Sequence, residues 1–224
     1  MRRPRRLAVP QPDLGDSVIG LIGRAFDPAV LTPDDRASER ILDAAVEIAG
    51  AVGMRRITID EVASRAGVGR MTLYRRFGER SELVAALVVR ETRRVLVELE
   101  RAFDPSAPLA EQVADGFVAA LGLTRSHPIL RRLADHEPGR LLSALNDPDD
   151  PVFEVVVGFA AEHVRRAQIS GEAHSAADPA VIGELLFRIG LSFLLLGRGA
   201  LADGDEASRR SFAREAIMPI LQGP

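Results

Sequence analysis

The sequence predicts an all-α fold, and three observations support this prediction. Apolar residues recur at helical spacing along most of the 224-residue chain. Capping residues, prolines and glycines bound these stretches, as at Thr32-Pro33 and at Gly53. We find no alternating stretch typical of a β-strand and no internal repeat. The predicted organisation is an extension over residues 1–31, a three-helix head over residues 32–80 and a helical C-terminal domain over residues 81–224.

Composition limits the classes of protein to consider. The chain has no Cys, which excludes disulfide frameworks, thiol nucleophiles and Cys-ligated metals. No apolar run reaches the roughly 20 residues that a transmembrane helix needs. No apolar signal-peptide core follows the basic residues Arg2–Arg6. We therefore expect a cytoplasmic protein.

Charge is unevenly distributed along the chain, although the net charge is only −3. Residues 54–80 contain seven Arg and three acidic residues, whereas residues 82–224 contain 15 Arg and 21 acidic residues. A basic segment joined to an acidic body is the distribution expected when a nucleic-acid-binding head is attached to a domain with another task.

Residues 1–31 are predicted to be a flexible basic extension. Its first twelve residues include four Arg and three Pro and show no periodicity, which is typical of disordered chain. Two interpretations stay open. The segment is either a solvated tail or a basic arm that adds phosphate or minor-groove contacts.

The head begins with a helix predicted from Thr32 to about Val52. The Thr32 hydroxyl can cap it, Pro33 suits the first helical position, and two acidic residues follow in the first turn. Gly53 ends the helix. Its apolar face consists of Ile41, Ala45, Ile48, Ala49 and Val52.

Two short helices around a glycine turn follow. Ile59–Ala66 is the first, with Thr58 as its cap and Glu61 at the capping-box position. Gly67 ends it, where a left-handed backbone favours glycine. Gly69–Arg76 is the second, and it is basic. This pattern predicts a helix-turn-helix, in which the second helix enters the DNA major groove. The residues predicted to face inward are Val62, Ala63, Val68, Leu73 and Phe77.

A longer helix is predicted to begin at Arg80 and to continue to about Phe103 without Gly or Pro. Such a rigid helix could carry motion between the head and the rest of the chain. Asp104–Pro108 marks the clearest boundary. Further helices are predicted over residues 109–123, 128–135, 138–145, 152–169, 179–196 and 206–221.

Several residues at fixed spacings between about positions 36 and 90 form a family pattern. They are Ile41–Ala45, Gly53, Thr58, Val62-Ala63, Ala66-Gly67-Val68, Thr72–Phe77, Arg80 and Leu83. With this pattern the segment resembles the TetR family of bacterial transcriptional regulators. The resemblance implies a homodimeric repressor that binds a pseudo-palindromic double-stranded operator and is released by a small apolar or amphipathic effector. A DNA-binding activator or architectural protein without an effector is the alternative.

The resemblance also implies which residues contact DNA. Thr58, Tyr74 and Arg80 would contact phosphates. Base edges or flanking phosphates would be read by Arg70, Met71, Thr72 and Arg75. Gly69 caps the second helix where the family often has Ser or Thr. The interpretation of Met71 stays open between a core residue and a base contact.

An apolar effector cavity is a further implication of the resemblance. The candidate wall residues are Phe103, Phe117, Leu121, His127, Leu130, Arg131, Phe153 and Val157, with Glu162 as an additional polar group. The segment Val181–Leu196 is apolar on nearly every side and must be covered. With Val152–Ile169 it could form half of an intersubunit four-helix bundle, or it could be a central helix of one subunit. The candidate interface residues are Phe159, His163, Leu186, Ile189, Phe193 and Leu194.

We find no catalytic or cofactor-binding pattern. No two of the four His lie three or four residues apart, as helical metal ligands would. Gly67-Val68-Gly69 lacks the third glycine and the preceding strand of a nucleotide-binding loop. We therefore expect no enzymatic activity, no cofactor and no metal. An all-helical enzyme or carrier is kept only as a remote alternative.

Overall fold

The structure, a computed structural model, describes residues 36–147, 152–199 and 204–223. Within these ranges every regular element is helical, which confirms the predicted fold class. The N-terminal extension and the Thr32 cap lie outside the described residues. The helices are α1 (Arg36–Val52), α2 (Ile59–Ala66), α3 (Arg70–Phe77), α4 (Arg80–Ala102), α5 (Leu109–Ser126), α6 (Pro128–His136), α7 (Pro138–Leu145), α8 (Val152–Ile169), α9 (Pro179–Leu195), α10 (Glu206–Phe212) and α11 (Met218–Gln222).

The core of the head contains more than the first three helices. Ile41, Leu42, Val62 and Leu73 of α1–α3 are fully buried in it. Residues beyond position 80 join the same cluster, namely Leu83, Ala86 and Leu87 of α4 and Ile129 of α6. The first two turns of α4 therefore belong to the core of the head. The boundary between the head and the C-terminal domain predicted from sequence lies before them, at residue 80.

Helix α6 packs closely on α1. A Cβ added to Gly50 would lie 2.6 Å from the Pro128 Cβ, so this position has no room for a side chain. Nearby, the Arg132 Nη1 donates to the Ala51 carbonyl oxygen at 2.7 Å. These contacts join the C-terminal end of α1 to the N-terminal half of α6.

A buried arginine joins α4 to α1. Arg90 is only 4% exposed. Its Nη1 donates to Asp43 Oδ1 at 2.9 Å and to Glu39 Oε2 at 3.1 Å, and its Nε donates to Glu91 Oε1 at 2.8 Å. A buried guanidinium needs such anionic partners, because an unpaired buried charge is costly.

Helices α8 and α9 pack against each other at Gly183. A Cβ at this position would lie 2.7 Å from the Ala161 backbone N and 2.8 Å from the Val157 carbonyl oxygen. The close approach at Gly183 is therefore made by α8 of the same subunit. A Cβ added to Gly190 or Gly197 would meet no described atom within 4 Å.

The last helical segment is interrupted, although the sequence predicts one continuous helix over residues 206–221. A π-helical turn, Ala213–Ile217, lies between α10 and α11. Pro219 follows this turn, and a proline lacks the N–H of a helical ladder and clashes with the carbonyl four residues earlier. The wider π turn accommodates it.

None of the helices in the described ranges is long and apolar enough to cross a membrane.

Candidate nucleic-acid interface and effector cavity

The helix-turn-helix has its predicted local geometry. The Thr58 Oγ1 accepts a hydrogen bond from the Glu61 N–H at 3.2 Å, so Thr58 caps α2. Gly67 ends α2 with φ 64°, in the left-handed region. The Thr58 hydroxyl uses only its acceptor here, so its proton can still be donated to a phosphate.

Two buried side chains orient the recognition helix α3. Leu73 is fully buried and Phe77 is 6% exposed, which turns the opposite side of α3 outward. Met71 is 78% exposed and Tyr74 40% exposed. This exposure excludes the core interpretation of Met71. Gly69, Arg70 and Arg75 are also exposed, and Thr72 is half-buried.

Sequence reasoning missed an ion pair across the turn. The Arg70 Nε lies 2.5 Å from the Asp60 Oδ1, where Asp60 belongs to the first turn of α2. This exposed pair places the Arg70 guanidinium beside the first turn of α2. Opposite charges ten residues apart across a predicted helical turn are the signal that could have indicated it.

Arg80 has backbone partners that the sequence did not predict. Its Nε donates to the Ile57 carbonyl at 2.7 Å, and its Nη2 donates to the carbonyls of Met54 and Arg55 at 2.7 and 2.9 Å. These carbonyls belong to a short 3-10 helix, Met54–Arg56, and to the residue after it. Arg80 therefore joins α4 to the chain before α2, and a phosphate contact stays a prediction.

The start of α4 is capped by two carboxylates. Glu79 is the N-cap residue, and its N–H donates to the Glu82 Oε2 at 2.7 Å. The Glu79 side chain in turn accepts from the backbone of the third helical position, which completes a capping box. Glu79, which follows the recognition helix in the chain, thus has a structural role as the cap of α4.

A large apolar cavity of about 710 Å³ lies beneath the head, within the size range of ligand pockets. Helices α4, α5, α6, α7, α8 and α9 contribute to its wall. The structure places five of the predicted residues on this wall, namely Phe103, Phe117, Leu121, His127 and Leu130.

The other three predicted residues are not on the wall. Arg131 is exposed, and the Phe153 ring packs on Phe187 with centroids 5.4 Å apart. Val157 has its backbone against Gly183 of α9. This contact fixes the rotation of α8, so its wall residues are Val152, Val156, Phe159, Ala160, His163, Val164, Arg166 and Ala167. Glu162 pairs with Arg165 and Arg166 and is not on the wall.

Two carboxylates on α4 face the cavity, and sequence reasoning missed both. The Glu91 Oε2 lies 3.0 Å from the His127 Nε2. Burial raises the pKa of Glu91, but the hydrogen bond with His127 and the charge of Arg90 outweigh it, so the pKa lies below its usual value. Glu91 is therefore ionised at neutral pH.

The second carboxylate lies further along α4. The Glu100 Oε2 lies 3.0 Å from the His163 Nε2, and the Glu100 Oε1 accepts from the Arg166 Nη1 at 3.0 Å. The hydrogen bond with His163 is the largest cause that lowers the pKa of Glu100, and Arg166 adds to it. The Phe103 ring stacks on His163 with centroids 3.9 Å apart.

The predicted interface residues contact their own subunit. Phe159 and His163 pack around Phe103. Phe193 contacts Phe117 and Phe212. The other three line the cavity, namely Leu186, Ile189 and Leu194. An interface role for these six residues stays a prediction, and Val181 and Leu185 are exposed on the opposite side of α9.

Across the described ranges, no three His, Cys, Asp or Glu side chains come together as potential metal ligands. The two His on the cavity wall are each paired with a glutamate instead.

Comparisons with known proteins agree with this geometry. A family model described as "Bacterial regulatory proteins, tetR family" matches residues 41–87, from α1 to the second turn of α4. The HTH-type transcriptional regulator Rv1255c of Mycobacterium tuberculosis is 36% identical over 98 residues, which cover 42% of this chain and 46% of that protein. The chain thus aligns with about half the length of that relative.

A second relative aligns over a longer stretch. The HTH-type transcriptional regulator Mb2274c of Mycobacterium bovis is 35% identical over 144 residues, which cover 63% of this chain and 73% of that protein. Among solved structures, FadR from Bacillus subtilis in complex with stearoyl-CoA superposes with a TM-score of 0.61 at 16% identity. The superposition covers 83% of this chain and 98% of FadR, and it shows a shared fold.

The head and these relatives define a DNA-binding transcription regulator of the helix-turn-helix class. The chain belongs to the TetR family of bacterial regulatory proteins.

Proposed function

We propose that the chain is a dimeric repressor that releases its operator when a small apolar or amphipathic molecule occupies the cavity. One observation carries this proposal. Glu91 of α4 lies on the cavity wall. The adjacent residue, Arg90, bonds to Glu39 and Asp43 of α1. A ligand that moves Glu91 therefore acts on a helix of the DNA-binding head.

A second route leads from the cavity to the head through α6. The His127 Nδ1 accepts from the Leu130 N–H at 3.4 Å and caps α6. The Nε2 consequently carries the ring proton and donates it to Glu91. Displacement of the His127 ring by a ligand would disturb this cap next to Pro128, which packs on Gly50 of α1.

These two routes couple the sites only to the extent that the ligand prefers one arrangement of the heads. The complex of FadR with stearoyl-CoA supports a long apolar effector for a cavity in this fold. In the dimer, each α3 would read one half of a pseudo-palindrome, with half-site centres about 34 Å apart or more.

Selection of bound DNA from a random pool tests the DNA-binding part of the proposal. The full chain should select an inverted repeat, and a cavity ligand should weaken its retention of that DNA. Ala160→Phe fills the cavity from α8, so this variant should bind the DNA with unchanged affinity but lose at least about tenfold of the ligand response.

Ala207→Phe is the matched control, since Ala207 is exposed on α10. It should respond to the ligand as the unchanged protein does. Selection of DNA without two-fold symmetry would contradict the dimeric operator. A ligand response that persists in Ala160→Phe would contradict the role of the cavity. DNA binding insensitive to every apolar ligand would favour the alternative of a regulator without an effector.

The exposed side of α9 is the surface that we propose for dimerisation. Val181 and Leu185 are 64% and 42% exposed and lie four residues apart, on one face of the helix. Leu185→Asp should convert the dimer to a monomer in sedimentation velocity, because a carboxylate would lose its hydration in an apolar interface. Leu142→Asp is the control, since Leu142 is 40% exposed on α7 and should leave the dimer intact. A dimer that survives Leu185→Asp would place the interface elsewhere.

A further inference from the structure

The polar groups on the cavity wall indicate the charge of the effector, an inference that rests on the proposed function. The wall is largely apolar, and its buried carboxylate Glu91 and half-buried carboxylate Glu100 have a partner on each oxygen. The Glu91 Oε1 bonds to Arg90, and its Oε2 bonds to His127. The Glu100 Oε1 bonds to Arg166, and its Oε2 bonds to His163. A ligand ammonium group would therefore have to compete with an arginine and a histidine for either carboxylate.

The cations near the wall are also engaged. Arg90 bonds to Glu39 and Asp43 in addition to Glu91. Arg166 bonds to Glu162 in addition to Glu100. Among the described residues of the wall, an anionic ligand would thus meet carboxylates and would have to compete with one of them for an arginine.

A third carboxylate, at the edge of the cavity, adds to the repulsion of an anionic ligand. Glu172 lies on the wall but is exposed to solvent. It increases the negative potential at the edge and remains hydrated there. The carboxylates of the wall therefore repel an anionic ligand, while a buried amine would have to compete with their arginine and histidine partners.

The cavity is also long. Its wall includes residues from Val88 in α4 to Phe103 directly after this helix, which span about 22 Å at a rise of about 1.5 Å per residue. Apolar side chains such as Val95 and Leu99 lie between Glu91 and Glu100. An elongated hydrocarbon would contact these side chains along its length.

We propose that the part of the effector inside the cavity is an uncharged, elongated lipophile, whose polar group is a hydroxyl, ester or amide. The energetic reason is that burial of an ionised group without a free partner costs several kcal/mol, whereas a neutral hydrogen-bonding group of the same length costs far less. A neutral ligand needs neither glutamate as a counterion.

Three ligands of equal chain length test this proposal, namely dodecan-1-ol, dodecylamine and dodecanoate. Each competes with Nile red, a neutral dye, for the full-length protein at pH 7.5, below the concentration at which it self-associates. Dodecan-1-ol should bind at least about tenfold tighter than the other two, which corresponds to about 1.4 kcal/mol. Equal or tighter binding of either charged ligand would overturn the proposal.

Glu100→Gln provides a test in the opposite direction. It removes a wall charge and releases Arg166 and His163 from the carboxylate, so dodecanoate should gain at least about fivefold relative to dodecan-1-ol. Glu98→Gln is the control, since Glu98 is exposed on the same helix and the substitution changes the net charge equally. If the affinity for dodecanoate relative to dodecan-1-ol is the same in the two variants, Glu100 does not disfavour anionic ligands.

The same titration separates this inference from the proposed function. If Nile red binds the unchanged protein and the Ala160→Phe variant equally, the cavity is not the ligand site, and both proposals fail. If Ala160→Phe blocks the dye and dodecanoate binds tightest to the unchanged protein, the cavity remains the effector site and only the inference about charge fails.

Discussion

Arg90→Met is expected to lower the free energy of unfolding by about 3 kcal/mol, because removal of one partner of a buried ion network leaves an uncompensated charge behind. Arg90 is 4% exposed, and Glu91, its partner on the same helix, is also buried. Methionine has a comparable length but cannot donate to Glu39, Asp43 or Glu91. Urea unfolding followed by circular dichroism, at one protein concentration, measures the difference.

Arg94→Met is the matched control. Arg94 contacts the same three carboxylates, but its side chain is 48% exposed. Exposed ion pairs are screened by water, so this variant should lose less than about 1 kcal/mol. If both substitutions cost the same, burial of the Arg90 guanidinium does not determine the stability of the contact between α1 and α4.

The double substitution Arg70→Ala with Tyr74→Phe is expected to weaken operator binding at least about tenfold. It removes one guanidinium that can read a base edge or a phosphate and one hydroxyl that can contact a phosphate, and a good bidentate base contact alone contributes about 1–3 kcal/mol. Because Leu73 and Phe77 hold α3 in the head and are unchanged, the fold should persist. A titration of selected operator DNA at fixed salt measures the effect.

Arg65→Ala controls for the loss of one positive charge from the head. Arg65 belongs to α2 and pairs with Glu47 of α1 at 3.3 Å, away from the recognition helix. Its removal should alter operator affinity less than threefold or so, through the general phosphate attraction alone. Equal losses in the two variants would remove the assignment of α3 as the element that reads DNA.

Most helix boundaries could be predicted because the signals that set them are local. The bounds of α2, α7 and α8 agree with the prediction, and Asp178 caps α9 locally by accepting from the Ala180 N–H. The π turn in the last segment was not predicted, because the prediction did not treat Pro219 as a residue that interrupts a helix. The fold class and the helix-turn-helix could therefore be predicted from short-range chemistry.

The side-chain partners at the site were less predictable, because they depend on tertiary geometry. The family pattern predicts a phosphate contact for Arg80, but it does not indicate that this guanidinium donates to the carbonyls of Ile57 and Met54. The sequence of α8 is apolar on several sides, so it does not indicate which side faces the cavity. Gly183 on a different helix decides that rotation.

The packing of α6 beneath α1 has a consequence for protein engineering. Ile129 and Leu133 contribute to the same apolar cluster as α1–α3, and Pro128 occupies the space that a side chain at position 50 would need. A chimera that transfers only the N-terminal third of the chain to another regulator would expose the underside of α1 or place a foreign helix against Gly50. The transferable unit is discontinuous, and α6 has to accompany the head.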